Sequence, residues 1–131
     1  MSATPMGPKG DRKRVLVVDD NRDMCESTCA LLRLIGYDAE LAGDGHQALA
    51  IHRQRPVQIL LTDIFMPGKD GIETIEAFRR QWPQVRIVAM SGGGEVATRD
   101  YLSVAPDIGA DAILRKPFSL EALQALLGSL G

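Results

Sequence analysis

The stretch Val15-Leu16-Val17-Val18-Asp19-Asp20 decides the predicted fold. Four consecutive apolar residues without polar alternation are typical of a short strand that is buried on both faces. Strands of this kind belong to parallel sheets that helices cover on both sides. The strand ends in two carboxylates, and ligands of such sheets bind beyond the carboxyl ends of the strands.

The same pattern recurs along the chain, where apolar runs alternate with segments of helical periodicity. The further strands are predicted at residues 37–42, 57–61, 85–90 and 111–115. Gly36 is predicted to end the first helix, and Asp44 is predicted to cap the second. A fourth helix is predicted near residues 96–104. We therefore predict an α/β fold, a doubly wound sheet of five parallel strands flanked by five helices.

Length, charge and apolar patterning indicate one globular domain and exclude several functional classes. The chain has 131 residues and a formal net charge of -2, so no broad basic field favours binding to nucleic acid or to an anionic membrane. No apolar run is long enough to span a bilayer, and no signal-peptide core is present, so a cytoplasmic location is predicted. Residues 1–13 are predicted to be a disordered tail, and residues 14–131 the domain.

Four side chains that often carry chemistry are predicted to have structural roles instead. Cys25 and Cys29 stand four residues apart in a predicted helix, with no histidine at ligand spacing, so packing or surface roles are predicted. His46 and His52 lie near the second helix and are predicted to be surface residues.

Polar groups stand at the ends of the predicted strands, and these ends share one edge of a parallel sheet. The groups are three carboxylates, one hydroxyl and one ammonium, from Asp19, Asp20, Asp63, Ser91 and Lys116. Three carboxylates close together repel, so the arrangement predicts a compensating cation. Oxygen ligands without thiolate or imidazole favour Mg²⁺ over zinc. In the competing interpretation, Asp19 and Asp20 are only a helix N-cap pair.

The same groups fit phosphoryl transfer. A carboxylate can act as a nucleophile and form an aspartyl phosphate. The attacked phosphoryl group needs positive charge and hydrogen-bond donors at its equatorial oxygens. Mg²⁺, the Lys116 ammonium and the Ser91 hydroxyl would supply them, and Gly92 would let the backbone approach the phosphoryl group closely.

Taken together, these residues resemble the receiver domain of two-component response regulators. The matching pieces are residues 15–20, Thr62-Asp63, Met66-Pro67, Asp70-Gly71, Ser91-Gly92 and Lys116-Pro117-Phe118. The resemblance covers nearly all of the chain from Arg14 onward. It implies the flavodoxin-like strand order 2-1-3-4-5. It also implies a phosphoacceptor protein that phosphorylates itself and slowly dephosphorylates itself. Such a protein is not an enzyme that acts on a foreign substrate.

The resemblance also implies how each carboxylate acts. Asp63 is the phosphoacceptor. Asp20 and Asp63 bind Mg²⁺ directly, together with the backbone carbonyl of Phe65. Asp19 holds a water molecule that is bound to the metal.

The resemblance assigns the remaining groups to the phosphoryl group and to the partners. Ser91 and Lys116 bind the phosphoryl oxygens, Lys116 pairs with Asp63 beforehand, and the bond between Lys116 and Pro117 is cis in the family. A histidine kinase or phosphotransfer protein would be the donor. A downstream effector protein would bind the phosphorylated form through a conformational shift, and neither nucleic acid nor membrane is an implied partner.

Three departures from the family pattern keep a second function open. Ile113 stands where the family usually carries Tyr or Phe, which predicts a muted or rerouted switch. Phe65 is bulkier than usual and predicts slow self-hydrolysis, and the stretch from Ser91 to Lys116 is a few residues longer. The alternative is a pseudo-receiver that binds a partner protein without phosphorylation. A haloacid-dehalogenase-type phosphatase is disfavoured, because it needs a second acid at the position of Phe65.

Overall fold

The computed structural model describes residues 12–64, 71–91 and 109–130. Five strands and four helices lie in these ranges, in the order β1 (Arg14–Val18), α1 (Arg22–Leu34), β2 (Asp38–Ala42), α2 (Gly45–Gln54), β3 (Ile59–Asp63), α3 (Gly71–Gln81), β4 (Arg86–Ser91), β5 (Ala112–Arg115) and α4 (Leu120–Ser129). The predicted alternation of strands and helices is confirmed for this part of the chain. The helix predicted near residues 96–104 lies outside the described residues, as do residues 1–11 of the predicted tail.

The five strands form a single parallel sheet in the order β2-β1-β3-β4-β5, as predicted. Val18, at the end of β1, lies opposite Ala42 of β2 and Thr62 of β3. The chain runs outward from β1 to β2 and then crosses back to β3, so the strand order reverses between β1 and β3. The crevice at such a reversal is where doubly wound sheets bind ligands.

Helices cover both faces of the sheet, and alternate strand residues supply the two cores. Val15 and Val17 pack with apolar residues of α1 and α4. Leu16 and Val18 pack with apolar residues of α2 and α3. Each fully buried aliphatic side chain stabilises the fold by about 1.5–3 kcal/mol relative to an exposed one. Because both faces of the strands are buried, their sequences are uninterrupted apolar runs. Among the four described helices, none combines the length and the apolar character needed to cross a membrane.

The first helix begins at a cap that leaves the two preceding acids available. Asn21 is the N-cap of α1, and its Oδ1 accepts a hydrogen bond from the N–H of Met24 at 3.1 Å. The interpretation of Asp19 and Asp20 as a cap pair is therefore wrong. The sequence signal for the cap is the asparagine placed directly before the helical periodicity.

Two other predicted helix boundaries are confirmed. Asp44 caps α2, and its Oδ1 accepts a hydrogen bond from the N–H of Gln47 at 2.9 Å. Gly36 follows the end of α1 with a φ of 100°. Glycine tolerates this left-handed conformation because it has no Cβ, so the chain can turn there into β2.

His52 is buried, at 2% exposure, and the prediction of a surface position was wrong. His46 is exposed as predicted. His52 stands four residues after Ala48, on the side of α2 that faces the core, which was a signal of burial in the sequence. The cysteine prediction named packing or surface roles, and both Cys25 and Cys29 are buried in the core on the α1 side.

Candidate functional site

Three carboxylates lie together at the carboxyl edge of the sheet. Asp19 and Asp20 follow β1 and Asp63 ends β3, and one carboxylate oxygen from each lies within 4.8 Å of the others. Asp19 and Asp63 are buried, whereas Asp20 is exposed. Strand β1 pairs with β3, and Val18 lies opposite Thr62. The residues that come next, Asp19 and Asp63, therefore lie at the same edge of the sheet. The convergence expected from the strand ends is therefore present.

Lys116, which follows β5, brings a positive charge to this cluster. Its Nζ donates hydrogen bonds to Oδ2 of Asp19 at 2.7 Å and to Oδ2 of Asp63 at 3.2 Å. Its backbone N–H donates to the carbonyl of Ser91 at 2.8 Å, which extends the pairing of β4 with β5 beyond the strand. The bond between Lys116 and Pro117 is cis, as the resemblance implies.

The charge of Lys116 is stabilised by its surroundings. Burial alone would lower the pKa of Lys116, but the hydrogen bond with Asp19 and the negative charges of Asp63 and Asp19 outweigh burial and raise the pKa above its ordinary value. Lys116 is therefore an ammonium at neutral pH. The closer contact is with Asp19, whereas the resemblance implied a pair with Asp63, so the lysine is shared between the two carboxylates.

Asp19 is held in one orientation by contacts to both of its carboxylate oxygens. The N–H of Asn21 donates to Oδ1 at 3.0 Å, and Lys116 occupies Oδ2. The backbone N–H of Asp19 donates to the carbonyl of Ala42 at 3.2 Å, which ties the loop to β2. Asn21 thus has two functions, as a helix cap and as a donor to the acidic cluster, and neither was predicted from the sequence.

Gly71, the first residue of α3, packs directly on the backbone of the predicted acceptor. Its N–H donates to the carbonyl of Ile64 at 2.9 Å. A Cβ at this position would lie 1.9 Å from the carbonyl oxygen of Asp63 and 2.5 Å from the Cα of Ile64. Only glycine permits such a close approach. The sequence marked Gly71 only as part of the Asp70-Gly71 match to the receiver family, and this contact could not be inferred from that match.

The other predicted site residues are only partly covered by the structure. Ser91 is buried at the end of β4, the strand next to β3. Phe65 and Gly92, which were predicted to contribute a metal ligand and a phosphoryl contact, lie outside the described residues. Ile113 is half-buried, lies opposite Ala89 of β4 and packs against the core on the α2 and α3 side.

The donor set of the cluster suits a hard divalent cation. The three clustered side chains offer only carboxylate oxygens, and together with the ammonium they leave two negative charges. Mg²⁺ prefers oxygen ligands of this kind. Cys25 lies close to the carbonyl of Asp19, but burial, assisted by the charges of Cys29 and Asp19, raises the pKa of the Cys25 thiol to about 11. Zinc binds the thiolate, so this raised pKa adds a free-energy cost to zinc binding at Cys25.

The fold and the site define a class: doubly wound α/β proteins with an acidic cluster and a lysine at the carboxyl edge of the sheet, the arrangement of receiver domains. A family model described as the response regulator receiver domain matches residues 15–128. The chain therefore belongs to the response regulator receiver domain family.

Similar proteins of known sequence agree with this assignment. Response regulator MprA of Mycolicibacterium vanbaalenii is 39% identical over 118 residues, 89% of this chain and 49% of that protein. MprA of Mycobacterium leprae is 38% identical over 118 residues, 89% of this chain and 50% of that protein. The chain thus spans about half the length of these relatives.

Two solved structures show the same fold at sequence identities above one quarter. The chemotaxis protein CheY4 of Vibrio cholerae superposes with a TM-score of 0.81 at 27% identity, over 92% of this chain and 99% of that chain. NtrX of Brucella abortus superposes with a TM-score of 0.82 at 28% identity, over 90% of this chain and 26% of that chain. Most of this chain thus matches nearly all of one solved chain and about a quarter of a longer one.

Proposed function

We propose that this chain accepts a phosphoryl group on the carboxylate of Asp63. One observation carries the proposal: Asp19, Asp20 and Asp63 offer carboxylate oxygens within 4.8 Å of one another, and Lys116 donates to two of these side chains. The buried carboxylates of Asp19 and Asp63, paired this closely with Lys116, add little to folding stability. Such clusters are concentrated at functional sites, and membership of the receiver family supports the same conclusion.

In the proposed step, the residues of the chain position and neutralise the transferred group. One oxygen of Asp63 attacks the phosphorus of a phosphohistidine, a P–O bond forms, the P–N bond breaks, and the imidazole leaves and takes up a proton. Lys116 and the Ser91 hydroxyl donate hydrogen bonds to the transferred oxygens, and Gly92 allows the backbone to approach them. The raised pKa of Lys116 keeps its charge available for this role.

The carboxylates of the cluster fit Mg²⁺. Asp20, Asp63 and the backbone carbonyl of Phe65 would hold the ion directly, and Asp19 would act through a water. When bound, Mg²⁺ supplies positive charge that offsets the repulsion between the carboxylates and the phosphoryl group. Both oxygens of Asp19 already accept hydrogen bonds, one from a backbone N–H and one from Lys116, which supports an indirect role for this residue.

The proposed donor is a histidine kinase or phosphotransfer protein, and the proposed output is a population shift that a downstream effector protein recognises. The relatives named above are called response regulators, which supports this output. Because Ile113 replaces the usual aromatic ring, we propose that the switch is muted or takes another route. We further propose a cytoplasmic location, no direct binding of nucleic acid or membrane, and self-phosphorylation with slow self-dephosphorylation as the only catalysis.

The test is intact mass spectrometry after incubation with acetyl phosphate and Mg²⁺. The native chain should gain one phosphoryl group, and Asp63→Asn should gain none. Asp23→Asn is the matched control, because Asp23 is an exposed acid in the first turn of α1, outside the cluster. It should be phosphorylated like the native chain, and leaving out Mg²⁺ should abolish the reaction in both.

Two results would contradict the proposal. Phosphorylation of Asp63→Asn would place the acceptor elsewhere. No added mass on a folded native chain, together with no Mg²⁺-dependent binding of beryllofluoride, would instead favour the pseudo-receiver, which binds a partner without phosphorylation. The beryllofluoride experiment is needed because a short-lived phosphoryl group escapes detection by mass.

A further inference from the structure

A buried histidine joins three segments of the chain at the end of the sheet that is opposite to the acidic cluster. Nδ1 of His52 accepts a hydrogen bond from the backbone N–H of Val57, just before β3, at 3.1 Å. The centroid of the imidazole lies 4.2 Å from that of the Trp82 ring and 5.3 Å from that of the Phe78 ring. One side chain therefore connects the end of α2 with α3 and with the residues that lead into β3.

The hydrogen bond requires the neutral form of the imidazole. A neutral imidazole that accepts at Nδ1 carries its single proton on Nε2. Protonation converts Nδ1 into a donor, which would then oppose the N–H of Val57. Val57 is itself buried, and a buried donor that loses its acceptor is unfavourable. Protonation of His52 thus removes the contact to the residues before β3.

The surroundings of His52 also disfavour its protonation. From β1, Arg14 donates to the carbonyls of Arg55 and the following proline, and from α2 itself, Arg53 lies 6.0 Å above the ring of Trp82. Burial first, and the charge of Arg14 second, lower the pKa of His52 below its ordinary value of 6.5.

We propose that His52 is an acid-sensitive latch, which fastens the end of α2 to α3 and to the start of β3 when neutral and releases this corner when protonated. The folded-state pKa lies below the unfolded one, so the stability that the latch contributes is fully present above pH 6.5. This stability is lost as the pH falls from 6.5 through the lowered folded-state value.

The test is amide hydrogen exchange of Val57, measured by NMR between about pH 8 and pH 5. The chain has two histidines, so His46→Gln leaves His52 as the single imidazole. We expect the Val57 protection factor, corrected for the intrinsic pH dependence of exchange, to fall by up to about tenfold per pH unit, the limit for one proton. The fall should begin near pH 6.5 and level off below the midpoint of the imidazole titration, which should itself lie below pH 6.5.

A matched variant separates titration from packing. His46→Gln with His52→Asn keeps an acceptor oxygen near the position of Nδ1 but cannot be protonated, so its Val57 protection should lose the pH dependence. An imidazole that titrates at or above pH 6.5, or Val57 protection that stays constant between pH 6.5 and the titration midpoint, would overturn the latch. The same pH dependence in the asparagine variant would also overturn it. The first two readouts use only the His46→Gln chain, so they stand even if the asparagine variant does not fold.

Discussion

Gly71→Ala is a substitution for which the structure predicts a large effect from a single added carbon. The new Cβ would lie 1.9 Å from the carbonyl oxygen of Asp63, whereas real Cβ contacts are essentially never shorter than 3.0 Å. The backbone must therefore move by about 1.1 Å, the difference between these two distances. No flexible side chain can absorb this movement, because the next nearest atom is the Cα of Ile64.

The stability loss follows from two contributions. Forced displacement in a packed site costs about 1–3 kcal/mol. The hydrogen bond from Gly71 to the carbonyl of Ile64, 2.9 Å long, contributes about 1 kcal/mol and is disturbed by the same movement. We therefore expect Gly71→Ala to lower the free energy of unfolding by about 2–4 kcal/mol, measured by urea denaturation.

The same displacement should also reduce the proposed phosphorylation. A misplacement of about 1 Å at a reacting group costs on the order of 100-fold in rate. The initial rate with acetyl phosphate and Mg²⁺ should fall by about that factor, measured without urea at a temperature where the variant is folded.

Gly128→Ala is the matched control, because Gly128 lies within α4 and an added Cβ would meet open space among the described residues. It should be neutral or should stabilise the protein by up to about 1 kcal/mol, the difference in helix propensity between glycine and alanine. The proposed packing of α3 on Asp63 is wrong if two results are found together. The free energy of unfolding of Gly71→Ala would lie within about 0.5 kcal/mol of the native value, and the variant would be phosphorylated at the native rate.

Four further perturbations test other parts of the chain. Lys116→Met should lower the free energy of unfolding by about 3 kcal/mol in metal-free buffer, because it leaves two buried carboxylates without their shared cation, and added Mg²⁺ should restore part of the loss. Cys25 and Cys29, whose pKa values are raised by burial, should react slowly with a thiol reagent in the folded protein and rapidly after unfolding. The stability that Cys25 contributes is present below pH 9.0, should decline as the pH rises through about 11, and can be followed by thermal unfolding. Phe65→Asn should speed the loss of the phosphoryl group, measured by mass after donor removal, because the bulky ring of Phe65 is predicted to shield this group from water. Unchanged or slower decay would contradict that prediction.

The strands and the acidic edge could be predicted because their signals are local. The apolar runs before Asp19 and before Asp63 form the buried strands β1 and β3. The positions where these strands end can therefore be predicted from the sequence. Parallel pairing then brings the ends together without further information. Lys116 could be assigned to the same edge for this reason, although it stands 97 residues after Asp19.

The features that escaped prediction depend on contacts between distant elements. The sequence places both Asp19 and Asp63 at strand ends and does not show which of them lies closer to Lys116. That difference depends on how β5 is placed against β4. The approach of Gly71 to the acceptor depends on the angle at which α3 leaves the sheet. His52 is an intermediate case, because its spacing from Ala48 indicated burial, but only the packed structure supplies its acceptor contact with Val57.

The shared lysine gives a physical reason why the site and the fold depend on each other. Lys116 is positioned by the pairing of β5 with β4, yet its ammonium contacts acids at the ends of β1 and β3. Without this contact, the clustered carboxylates would repel one another and oppose the pairing of β1 with β3. A cation bound by the same carboxylates would supply part of the positive charge that Lys116 brings to them. Cation binding should therefore weaken the dependence of folding on Lys116, which is why the rescue of Lys116→Met by Mg²⁺ tests the site and the fold together.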